Sequence, residues 1–155
     1  MNSKRIGALT ELKRRLEQIT IANGFSTDAG KNVLLGENAK LGPDDPETAI
    51  AIVVGSSTEE HLGFSKVIVS RVGLSLQAFA KAAPADGADP FLVAEDVVAD
   101  IKRAAELEDR TLNGYCSNPG FSRASVTPAK RLEASEYVGA KVDYSLTFEE
   151  AWGRP

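Results

Sequence analysis

The sequence predicts an α+β fold: a mainly antiparallel sheet of about five strands with two helices packed on one face, in the order α-β-β-β-α-β-β. Three observations carry this expectation. Residues 137–150, YVGAKVDYSLTFEE, place Val138, Ala140, Val142, Tyr144, Leu146 and Phe148 on even positions and mostly polar residues on odd ones, the period of a strand with one buried face. A second extended run, SKVIVSRVGLSLQAFAKA (65–82), ends in the same alternation. Two segments, near each end of residues 3–108, carry apolar residues at the three- and four-residue spacing of an amphipathic helix.

The elements follow in order. The first helix is expected from Ser3 to Ala22, with Ile6, Leu9, Leu12, Leu16 and Ile19 on one stripe. Asn23-Gly24 ends it, because glycine takes the left-handed conformation past a helix terminus. Lys13, Arg14 and Arg15 lie mostly off that stripe. They read as a solvated face with a Glu11–Arg15 pair rather than a patch for acidic partners. KNVLLGE (31–37) is a short strand and LGPDDPE (41–47) a proline-aspartate loop. TAIAIVVG (48–55) is apolar on both faces, as in a strand covered on both sides. SSTEEHLGF is a polar connection. The long run 65–82 is expected to leave the core or bend at Gly73.

Asp89 and Pro90 open the second helix as cap and first residue, and Phe91, Ala94, Val98, Ile101 and Ala105 form its stripe. NGYCSNPGFSRASVTP (113–128) reads as a long loop, functional or mobile, and AKRLEAS as a strand leading into the last one. At about 3.3 Å per residue the final strand spans about 40 Å, twice the ordinary length.

Composition narrows the chemistry. The 155 residues suit one domain, 1–155, with 43% hydrophobic and 26% charged residues. A net charge of −4 argues against a dedicated nucleic-acid binder. A single cysteine, Cys116, excludes an internal disulfide framework and suits a reducing cytoplasm. The N-terminus lacks the apolar region of a secretory signal, and no run suits a membrane helix. The one histidine, His61, sits outside any nucleophile pattern and reads as a solvated loop residue. Asp44, Asp45 and Glu47 form the sharpest carboxylate cluster. A metal-dependent hydrolase or nuclease would use them, but the following strand lacks the acid and lysine of such a site, and a proline-aspartate turn accounts for them. No catalytic residue, metal ligand or cofactor is assigned, and the residues read as those of a structural or interaction protein.

The order of pieces then carries a resemblance. An N-terminal helix is followed by NGFSTDAGKNVLLGE, the proline loop GPDDPETAIAIVV, the strand VIVSRVGLSLQAF, the helix LVAEDVVADIKRAAE and the closing strand YVGAKVDYSLTFEEAW. Over nearly the whole chain this resembles the tail terminator (tail completion) family of long-tailed bacteriophages. The resemblance implies a non-enzymatic virion subunit in a sixfold homo-oligomeric ring on the head-proximal end of the tail. Its partners would be further copies, the major tail tube protein and a head-completion or neck protein, with DNA passing through the lumen without sequence-specific binding. On this reading the polar face or overhanging end of the last strand meets a neighbouring subunit. The interface candidates are Tyr137, Lys141, Asp143, Asp44, Asp45, Tyr115, Phe121 and Trp152. Another head–tail joining protein, or an oligomeric binding module with no phage role, remains open on the residues alone.

Overall fold

The computed structural model describes residues 3–36, 46–63, 66–132 and 135–152. Ser3 caps the first helix, α1 (Lys4–Glu17), its Oγ accepting from the Ile6 amide at 3.2 Å. The helix is shorter than its periodicity predicts. The chain leaves it after Gln18, and the Ile19 carbonyl accepts instead from the Gly30 amide at 2.8 Å. Thr20 then caps a separate 3₁₀ turn, Ile21–Asn23, and Gly24, at φ +89°, closes that turn rather than α1.

Five strands form one sheet: β1 (Val33–Leu35), β2 (Thr48–His61), β3 (Val67–Lys81), β4 (Ser122–Arg131) and β5 (Tyr137–Ala151), in spatial order β1-β2-β3-β5-β4. Every pairing is antiparallel except β1 with β2. The second helix, α2 (Pro90–Glu106), starts where the sequence places it, with the Asp89 carboxylate accepting from the Phe91 amide at 3.0 Å. The even residues of β3 and β5 pair in register, Val72 with Leu146, Leu74 with Tyr144 and Leu76 with Val142. With Ile50 and Ile52 of β2 they form one core against Leu12 and Leu16 of α1 and Val97, Val98 and Ile101 of α2. Both helices therefore lie on one face of the sheet.

Two segments read as irregular are strands. SSTEEH continues β2, because residues 67–72 of β3 offer it an antiparallel partner out to His61 with Ile68. Residues 122–128 belong to β4, which pairs with β5 from Ser145 to Val138. The expected bend at Gly73 appears on the neighbouring strand: the register of β2 shifts between Val54 and Ser57, so Gly55 and Ser56 bulge opposite Gly73.

The α1 stripe is also shifted. Ile6 is exposed, whereas Glu11 and Arg15 are buried. The Glu11–Arg15 pair forms at 3.1 Å as expected, but inside the protein rather than on a solvated face. The reason is the end of α2. Arg15 Nη1 donates to the Ala105 carbonyl at 3.0 Å and the Asp109 carbonyl at 2.9 Å, supplying donors that a helix C-terminus lacks. Asp100 does the converse for the turn after α1, accepting from the Ser26 amide and from both the amide and hydroxyl of Thr27.

Candidate interaction surface

The helix-free face of the sheet is built from the odd residues of β3 and β5 and the matching residues of β4. At its centre Asp143 accepts hydrogen bonds from Ser75 Oγ on β3 and from Ser125 Oγ on β4, the latter at 3.0 Å. Lys141 Nζ lies 4.0 Å from the same carboxylate. This links three strands side chain to side chain. Beside it the bulge at Gly55 and Ser56, with Gly73, Ser75 and Ser145, floors a shallow depression of about 440 Å³. A Cβ at Gly73 would meet no atom within 4 Å, so this part of the face is open.

The far end of the sheet is a blade of β2, β3 and β5. At its tip the Trp152 ring stacks on His61, centroids 5.5 Å apart and 12° from parallel. The Trp152 amide donates to the Lys66 carbonyl at 2.7 Å, which ties the end of β5 to the turn before β3. Trp152 remains 68% exposed and Leu62 beside the turn 45%, so the blade ends in an apolar tip. Below the tip β2 displays Glu59 and Glu60; Arg71 on β3 pairs with Glu60 at 3.4 Å. The opposite edge strand, β4, contains Arg123, Lys130 and Arg131 and no acidic residue. Glu59, Glu60 and Arg123 were hidden in the sequence because SSTEEH and residues 113–128 read as connections, whereas Lys130 and Arg131 fall in AKRLEAS, which read as a strand. The β-branched Thr58 and the alternation in Ser-Val-Thr (125–127) were the available signals.

The sequence-predicted interface residues divide. Lys141, Asp143 and Trp152 lie on the open face or the tip. Tyr115 is 36% exposed, with its ring against α1 at Gly7, where a Cβ would approach it to 2.2 Å. Two expectations need correction. Tyr137 is fully buried: its ring meets Phe79 edge-on, and its hydroxyl donates to the Pro46 carbonyl at 2.6 Å. Phe121 is 3% exposed and stacks on Tyr144 with centroids 4.3 Å apart. Both serve the subunit's own packing. Asp44 and Asp45 lie outside the described residues. Glu47, the third member of that cluster, accepts from the Ala85 amide at 2.9 Å and so anchors the turn after β3. Among the described residues no group of three His, Cys, Asp or Glu side chains is placed to hold a metal ion.

The loop before β4 is anchored, not free-standing. Ser117 donates its amide to the Thr147 carbonyl at 2.8 Å and accepts at Oγ from the Glu149 amide at 2.9 Å. It thereby covers the edge of β5 beyond the reach of β4. Cys116 is buried here, and burial pushes its thiol up to about 12. Nearby, Tyr144 donates its hydroxyl to Glu106 Oε2 at 2.7 Å, and Glu106 pairs with Arg123 at 3.4 Å. Burial first, and then the Glu106 carboxylate, raise the Tyr144 phenol well above its ordinary value.

The fold and this surface define an α+β protein with a one-sided helical layer and an open sheet face ending in an apolar blade. Comparison of the chain with protein-family models and with curated proteins finds no match to either.

Proposed function

We propose that the chain is a structural subunit of a phage tail terminator ring, which sits on the head-proximal end of the tail tube and halts its polymerisation. The ring also presents the docking face for the neck. The observation that carries this reading is the length of the sheet. β2, β3 and β5 run 14, 15 and 15 residues, when about 5–6 is ordinary, and they end in the exposed pair His61–Trp152. A ring subunit needs lateral contacts to two neighbours and axial contacts to two partners, so it uses surface on several sides at once. A polar open face, outer sheet edges that are only partly paired among the described residues, and an apolar tip supply such surfaces.

On this reading the partners are further copies of the chain, the major tail tube protein and a head-completion or neck protein, and DNA passes through the lumen. The protein assembles in the host cytoplasm and resides in the virion. It performs no catalysis and takes no cofactor. The test is native mass spectrometry of the purified protein alone and with tail tubes, together with electron microscopy of tails made without it. Closed rings on tube ends, and overlong tails in its absence, are the expected results. A chain that stays monomeric on tubes, or tails of normal length without it, would overturn the reading.

A further inference from the structure

The two ends of the sheet expose opposite faces. Strand register carries the helix side outward from Val72 and Leu146, through Ser70 and Phe148, to Ile68 and Glu150, with His61 opposite Ile68. His61 and Trp152 therefore stack on the helix side of the blade, and both are exposed there. At the other end of the sheet the open face holds a notch of about 250 Å³. Phe79, Gly139 and Leu132 give it an apolar floor, and Thr127, Lys130 and Lys141 stand around it. Leu132 folds over Gly139, where a Cβ would come within 3.0 Å of it. Ile68 at the blade and Phe79 at the notch lie on the same strand, about 36 Å apart at about 3.3 Å per residue.

We propose that the blade end of one copy seats in the notch of the next, with Trp152 over Phe79 and Leu132. This rests on the ring reading above and names a contact within it. Three observations favour a second copy as the occupant. The first is direction. The blade end presents the helix side and the notch presents the open side, so two copies in the same orientation face each other when one is shifted along its strands and stepped over the other. Each copy then gives one blade and one notch, a head-to-tail contact of the kind that closes into rings. The second is fit. Trp152 is 68% exposed, and a large aromatic seated in an apolar pocket is the commonest anchor of a protein interface. The third is charge. Lys141 already lies 4.0 Å from Asp143, and Glu59 accepts from Ser70 Oγ at 3.4 Å. Lys130 at the notch and Glu150 beside Trp152 have no ion-pair partner among the described residues, and they are of opposite sign. Lys66 in the blade turn has the other sign, so the apolar fit carries the contact and the Lys130–Glu150 pair orients it.

The experiment uses full-length protein, alone and on tail tubes. Trp152→Ala is compared with the wild type by native mass spectrometry and light scattering, and a thermal melt confirms that it folds. Rings are expected for the wild type and a weakening of about tenfold or more for Trp152→Ala. A second variant carries Lys130→Cys with Glu150→Cys and keeps Trp152. The two positions lie too far apart to bridge within one chain, because a disulfide needs its Cα atoms within about 7 Å. Mild oxidation should therefore link copies into a ladder of multimers, whereas either single cysteine variant should give nothing beyond a dimer. A folded Trp152→Ala protein that assembles like the wild type would overturn the proposed contact and leave the ring reading intact. So would wild-type rings without a ladder from the double cysteine variant. Normal self-assembly of Trp152→Ala with loss of binding to tubes would assign the blade tip to the tube protein instead. A wild type that stays monomeric under every condition would overturn both the contact and the ring.

Discussion

Arg15 on α1 donates its Nη1 to the Ala105 carbonyl in the last turn of α2, 3.0 Å away, from a side chain that is 1% exposed. One helix thus completes the hydrogen bonding of the other. The same guanidinium reaches the Asp109 carbonyl and the Glu11 carboxylate. Replacing Arg15 with methionine keeps much of the packing but strands two carbonyls and leaves the Glu11 carboxylate to Arg14 alone. We expect a loss of about 3 kcal/mol, read as a lower urea midpoint at unchanged slope.

Acid should destabilise the protein partly through Glu11. Its hydrogen bond from Arg14, and then that from Arg15, hold its carboxyl below the ordinary value of 4.5. As pH falls past that value the unfolded chain takes up a proton that the folded chain still refuses, so stability declines until the folded carboxyl also titrates. The contribution is fully present above 4.5. Chemical denaturation from pH 6 to pH 3 should show a shallower acid limb for Glu11→Gln than for the wild type. Identical limbs would show that the ion pair adds nothing to the pH dependence.

The opposite sign applies to Cys116. Its thiol is raised from 9.0 to about 12 by burial, so above 9.0 the unfolded chain releases a proton that the folded chain retains, and stability falls with rising pH. Cys116→Ala should remove part of that alkaline loss. At pH 8 the native thiol should react with a thiol reagent roughly a hundredfold or more slowly than the unfolded chain. Equal labelling rates would contradict the burial.

Gly30 should not tolerate even alanine. A Cβ there would lie 2.5 Å from the carbonyl oxygens of both Leu16 and Ile19, and backbone atoms cannot swing aside as a side chain does. The close approach is what lets the Gly30 amide receive the chain as it leaves α1. Gly30→Ala is expected to cost about 1–3 kcal/mol, visible as a lower melting temperature.

Tyr144 and Asp143 are neighbours on opposite faces of β5. Tyr144→Asp would place a carboxylate in the core beside Phe121 and Glu106 and should abolish folding at moderate temperature. Tyr144→Phe keeps the stack and loses one hydrogen bond, a cost of about 1 kcal/mol. Asp143 differs from a simple surface charge, because it accepts from Ser75 and Ser125. Asp143→Lys should therefore cost about 1–2 kcal/mol of stability before any effect on assembly. Asp143→Asn, which keeps an acceptor, should cost less. Thermal melts of the three Tyr144 and Asp143 variants, compared with Asp143→Asn, would separate these cases.

The sequence by itself determined the kinds of element and their inward faces. Alternation in residues 138–148 gave the buried side of β5, and Asp89-Pro90 set the start of α2, because side-chain period and capping chemistry are local. Tertiary structure decided where the elements stop and which polar groups go inside. SSTEEH is a strand because β3 lies beside it with free backbone groups, and 122–128 is a strand because β5 has an edge to fill. Arg15 looks like any surface arginine until the end of α2 arrives with unpaired carbonyls. Tyr137 falls on the polar alternation yet is buried, because Phe79 and the Pro46 carbonyl come to meet it from distant parts of the chain. Backbone hydrogen bonds and buried charges depend on partners far away in sequence, and no local pattern encodes the identity of a partner.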